Sequence, residues 1–301
     1  MVKVIQANKK EILLNNAYES WIQAIKLARN IKDGLVTLQY KKSFVSNLHN
    51  AVELFLKQLM LNQQDYRIAY VKTNNIHKDG NPLKTYYQAT NLNEYFKNLT
   101  QEQRQHFLSI KFNDLINIHK DLFINSPVPK ISYKSALILL QRLRNNETHF
   151  YIEAEDFLNE KDFVTLHNFM IDFNKNLEQE NLFPFIGTPL EEESLLYFDD
   201  QKIESSNFSF KHSIEISTKA KKIANILNTE IFKFFAPPYA LAKVFSKEFT
   251  QENILFDEAL SYIESLFTYR LIDIQEEYAE VEDEYGRVAI DCIGFKYINK
   301  F

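Results

Sequence analysis

Apolar residues recur at three- and four-residue spacing in one segment of this chain after another, which restricts it to a mainly helical fold. Between residues 10 and 32, Ile12, Leu13, Ala17, Trp21, Ile25 and Ala28 fall on one helical face, and Asp33-Gly34 ends the run. Trp21 reads as a core anchor. Residues 41–61 repeat the pattern through Phe44, Val45, Leu48, Val52, Phe55, Leu56 and Leu59. Thr100 and Gln103 have the form of a capping box, opening a helix that Phe107, Leu108, Phe112, Leu115 and Ile116 carry toward Lys120. Ser126-Pro127-Val128-Pro129 stops it. Ser132 then reads as the N-cap of a helix to Leu143, and Phe163, Leu166, Phe169, Met170, Phe173 and Leu177 mark a further helix over 160–180. Residues 1–182 are therefore expected to form an up-and-down helical bundle.

Two regions depart from this period. Residues 63–132 are expected to be an insertion into the bundle. Its β-favouring runs flank Lys78-Asp79-Gly80-Asn81, where Asp-Gly signals a hairpin. Residues 183–212 mix Pro, Gly, acidic and aromatic residues without a clear period and read as a linker or packed strap. Residues 213–301 then form a smaller α+β domain. Ser217-Thr218 precedes a helix to Leu227, Pro237-Pro238 opens a new segment, and a helix spans about 251–268. Two β-like runs surround Glu282–Gly286. Helices followed by a two-stranded hairpin have the outline of a winged helix, and equally of a generic α+β cap.

Only 5 Gly and 7 Pro occur in 301 residues, which disfavours Gly-rich phosphate loops and turn-dense all-β folds. The single Cys292 cannot form an internal disulfide, and the polar start is unlike a signal peptide. No run of about 18 apolar residues occurs. The expectation is a cytoplasmic protein with no membrane span. Charge is uneven. Residues 1–185 hold 23 Lys/Arg against 19 Asp/Glu, a net +4, while residues 186–301 hold 12 against 21, a net −9. An overall −5 argues against wholesale coating of nucleic acid, and the asymmetry suggests two domains with different partners.

Chemistry concentrates where the helix over 132–143 turns polar. Arg142, Arg144, Asn145, Asn146, Glu147, Thr148 and His149 follow one another closely, closed by Tyr151. At about 100° per residue, Arg142, Asn145 and His149 share a helical face, while Arg144 and His149 point about 140° apart. Two routes bring Arg144 and His149 to one phosphate: a helix interruption near Asn145-Asn146, or a shared cleft between two copies. The set suits RNA cleavage, in which the strand's own 2′-OH attacks the adjacent phosphodiester and no metal or protein nucleophile is required. His149 has the ordinary pKa of a general base near neutrality, about 6.5. Arg144 offers forked donors to the phosphorane. Asn145 can position, and Tyr151 can contact phosphate or hold His149. In the second helix His49 and Glu53 stand four apart on one face and read as a capped or solvated pair, not as a metal site. His77, His106 and His119 lie in polar surroundings and read as surface residues.

The string from Arg144 to Tyr151, R-N-x-x-x-H-x-Y, resembles the R-x4-6-H signature of HEPN domains (higher eukaryotes and prokaryotes nucleotide-binding). HNAVELFLKQLML at 49–61 is similar to the early helix of such domains, where an acidic residue, here Glu53, precedes a Leu-rich stretch. The resemblance covers roughly residues 10–180. It implies a metal-independent endoribonuclease without cofactor, dimerising so that Arg and His of both chains line one cleft. A toxin–antitoxin or antiviral-defence setting follows from the same resemblance. Carried over, Arg144 and His149 are the catalytic pair, with Asn145, Tyr151 and Glu53 in support. Arg142, with six residues between it and His149, also satisfies the spacing and can replace or assist Arg144. The insertion at 63–132 departs from the simplest family pattern.

Two rival readings stand beside it. One is a catalytically inactive interaction or nucleotide-binding module, with a protein partner at the acidic C-terminal domain. The other is a transcriptional regulator using that domain on DNA, against which residues 276–284 (EEYAEVEDE) set negative charge where a wing would meet phosphates.

Overall fold

The structure, a computed structural model, describes residues 13–72, 82–126, 131–148, 157–183, 196–232, 237–282 and 288–301. The chain is mainly helical, with a two-stranded sheet near the C-terminus. It divides into two compact units: Met1–Lys26 with Lys42–Ser205, and Leu27–Lys41 with Ser206–Phe301.

The first unit is built on α1 (Leu14–Lys32), α2 (Leu38–Asn62) and α8 (Glu160–Gln179), the first two continuing into the second unit. Trp21 is fully buried, as its spacing predicts; its ring packs on Phe55 and Phe173, and Nε1 donates to the Leu196 carbonyl at 2.9 Å. That carbonyl belongs to a strap over 196–203. Asn174 and Asn168 of α8 accept the strap's Phe198 and Ile203 N–H groups at 3.1 and 2.8 Å, so the irregular backbone is satisfied by side chains. Asn159 caps α8 by accepting from the Asp162 N–H.

The region 63–132 contains β1 (Ala69–Val71), three short helices, α3 (Pro82–Tyr87), α4 (Leu92–Asn98) and α5 (Gln101–Arg104), then β2 (Phe107–Ser109) and α6 (Phe112–Leu122). The expected capping box at Thr100–Gln103 is present. The helix it opens does not reach Lys120; it ends after one turn. Phe107–Ser109 pair antiparallel with β1 instead, Ala69 opposite Ser109, and Lys72 N–H to the His106 carbonyl at 2.8 Å extends the ladder. The Asp79-Gly80 turn lies outside the described residues. Tyr66, Tyr86, Tyr95, Phe96 and Phe107 pack, mostly edge-to-face, into an aromatic cluster of their own.

α7 (Ile131–Thr148) starts before Ser132, which therefore sits inside its first turn and not at the cap. Tyr133 anchors it, donating to the Asp172 carbonyl of α8 at 2.9 Å and accepting from Asn176 Nδ2. His119 is fully buried, contrary to its polar sequence setting: Nδ1 lies 2.6 Å from the Ile116 carbonyl and the ring faces Tyr133.

The second unit holds α9 (Phe210–Ile216), α10 (Thr218–Leu227), α11 (Pro238–Glu248) and α12 (Phe256–Thr268). Ser217 caps α10 through the Ala220 N–H, as expected. α12 begins later than the sequence pattern suggests, because Thr250–Glu252 form a 3-10 turn and Asn253 takes a left-handed φ of 53°. β3 (Ile272–Glu282) and β4 (Val288–Asn299) form the expected hairpin, with an irregularity at Glu277/Tyr278. The turn at 33–36 also belongs here. Gly34 has φ +95°, and Val36 N–H donates to Ser265 Oγ at 3.3 Å.

Candidate active site

The polar cluster rests on the last turns of α7. The helix runs unbroken through Asn145-Asn146 to Thr148, so the interruption that would turn Arg144 and His149 together is not at that pair. His149 and Tyr151 lie outside the described residues.

α7 sends its two arginines to different neighbours. Arg142 is exposed, and Nη2 donates to Asp162 Oδ2 at 2.9 Å, tying α7 to the first turn of α8. Arg144 is half-buried on the face it shares with Gln141 and Asn145, whose side chains are joined by a 3.0 Å hydrogen bond from Gln141 Nε2 to Asn145 Oδ1. That face looks toward His49 of α2.

His49 is no solvated residue: its side chain is 12% exposed and its ring centroid lies 4.2 Å from that of Phe112 on α6. Burial pushes its pKa below the ordinary value. Glu53, with Oε2 3.8 Å from His49 Nδ1, and Gln141 oppose that shift, while the charges of Arg144 and Lys57 add to it. Gln141 approaches the imidazole closely enough to favour its protonation, yet His49 Nε2 and Gln141 Oε1 are both buried without a well-aligned hydrogen bond. One turn on, Lys57 Nζ donates to Glu53 Oε1 at 2.5 Å. The result is a titratable row on α2, His49–Glu53–Lys57, facing an amide and a guanidinium from α7.

Arg144 and Glu53 thus both act electrostatically on His49, Asn145 is tied to Gln141, and Arg142 is directed to Asp162. Sequence reasoning missed Gln141, Lys57 and the link from His49 to Arg144. The signal was available: Gln141 stands three and four residues before Arg144 and Asn145, and Lys57 stands four after Glu53, so each extends a polar stripe along an otherwise apolar helix. Among the described residues no three of His, Cys, Asp or Glu gather as a metal site, and no helix is long and apolar enough to cross a membrane. Comparisons of the chain with models of protein families, with curated proteins and with solved structures found no match.

Proposed function

We propose that the chain is a metal-independent endoribonuclease of the HEPN type, acting as a homodimer in a toxin or antiphage role. One observation carries the reading. The two segments that bear the resemblance, 49–61 and 144–151, are far apart in sequence, yet Arg144 lies close enough to His49 to oppose its protonation. The continuous α7 removes one route to a joint Arg144–His149 site, so the reading takes the other: a cleft shared across a two-fold axis.

In that cleft His149 accepts the 2′-OH proton as the 2′-oxygen bonds to phosphorus. The bond from phosphorus to the 5′-oxygen breaks, and the imidazolium of His149 gives its proton to that oxygen, leaving a 2′,3′-cyclic phosphate and a 5′-hydroxyl. Arg144 holds the negative charge that gathers on the non-bridging oxygens. Asn145 positions, Tyr151 supports His149, and the Glu53 row fixes the polar face of α2 against α7. Arg142 acts by clamping α7 to α8. The acidic C-terminal unit takes a protein partner, a sensor or antitoxin. Duplex DNA is disfavoured there by Asp273, Glu276 and Glu277 on β3.

The test is incubation of the purified chain with total RNA in EDTA. Wild type cleaves; His149→Ala and Arg144→Ala do not, with unchanged circular dichroism. Cleavage that survives His149→Ala ends the proposal.

A further inference from the structure

A cavity of about 450 Å³ opens in the first unit, between α2, the β1–β2 pair and the α4–α5 turns. Its size is that of a small-molecule site. Leu54 and Leu61 of α2, Ile68, and Phe96 and Phe107 of the aromatic cluster supply apolar walls. Its charged lining residues are all basic: Lys57, Lys97 and Arg104, with no carboxylate among the described lining residues. Arg104 Nη2 donates to the Lys97 backbone carbonyl at 3.3 Å, which ties the end of α5 to the end of α4. Lys97 and Arg104 are exposed, whereas Lys57 is 12% exposed.

We propose that this cavity binds a small amphipathic anion: an aliphatic body against the Leu/Ile/Phe walls and one carboxylate or phosphate head at the three cations. A nucleotide fits less well. Among the described lining side chains only the Ser109 hydroxyl is a neutral hydrogen-bonding group, too little to read a base edge. Lys57 gives the site reach beyond itself, because the ammonium that borders the cavity also holds Glu53. An anion seated there competes with Glu53 for it. The binding site stands independently of RNA cleavage.

The experiment is calorimetric titration of the full chain with decanoate and with decyl phosphate, which separates the two head groups. Decanol, decyltrimethylammonium and AMP serve as controls. One or both anions are expected to bind saturably, one per chain, more weakly as salt rises. The double variant Lys97→Gln/Arg104→Gln, at exposed positions and with circular dichroism matching wild type, is expected to weaken the anion about tenfold or more while leaving decanol unchanged. Absence of saturable anion binding overturns the proposal. So does equal affinity for decyltrimethylammonium, tighter binding of AMP, or unchanged anion affinity in the double variant.

Discussion

Arg142 Nη2 reaches Asp162 Oδ2 across 2.9 Å, from the last turns of α7 to the first turn of α8. Asp162 is also held by Asn159, which accepts its backbone N–H at 2.8 Å and donates to its carboxylate at 3.0 Å. The ion pair therefore lands on a pre-oriented helix start. It ties α7 to α8 on a face apart from Gln141 and Arg144, the two α7 residues that act on His49 of α2.

The two arginines should separate on mutation. Arg144→Ala is expected to lower RNA cleavage by roughly 10²–10³-fold, the loss typical of a removed charge-stabilising donor. Arg142→Ala should leave most activity and cost about 0–1 kcal/mol of stability, since its guanidinium is largely solvated. Steady-state cleavage of a labelled RNA alongside urea denaturation reads both. Equal losses of activity in the two variants would contradict this division.

Stability should fall with acid through His49. Its folded pKa lies below the ordinary 6.5, so between those values the unfolded chain binds a proton that the folded chain does not. The contribution is fully present above pH 6.5 and is lost as pH falls through the folded value. His49→Gln should flatten the stability curve in that window, measured by urea midpoints at closely spaced pH.

Gly34→Ala should destabilise by about 1–3 kcal/mol or more, because a side chain at positive φ is strained. Its Cβ would also meet the Ile214 Cα at 2.9 Å, a backbone atom that cannot rotate away. A lowered denaturation midpoint with an unchanged m-value is the expected outcome.

Tyr133→Phe removes the hydroxyl that serves both the Asp172 carbonyl and Asn176 Nδ2. Asn176 Oδ1 already lacks a partner in this buried place. The expected cost is about 1–3 kcal/mol, the penalty of leaving a buried polar group unpaired. Thermal unfolding checks it, and RNA cleavage measured well below the transition should survive.

What the sequence made legible was local. Trp21, the Thr100–Gln103 box, the Ser217 cap, the helix over 160–180 and the C-terminal hairpin all depend on neighbours a few residues away. What it concealed was distant. β1 pairs with β2 across the short helices between them, and that ladder, not propensity, cuts the helix expected toward Lys120. His119 looks polar along the chain but is buried beside Tyr133, and α7 continues through two asparagines that alone favour a break. For the candidate site, Arg144 and Glu53 were visible as motif residues. That both act on one imidazole, His49, depends on tertiary placement that no local pattern reveals.

Both outer rims of the β3–β4 ribbon are unpaired among the described residues, offering backbone N–H and C=O groups to any extended chain that drifts by. Ile274 and Tyr278, 41% and 57% exposed, would reward such templating. Asp273, Glu276 and Glu277 prevent it at neutral pH, since a second ribbon would bring its own like charges alongside. Neutral residues in place of these carboxylates would strip the guard from the ribbon and make it the place where fibrils of this chain would begin.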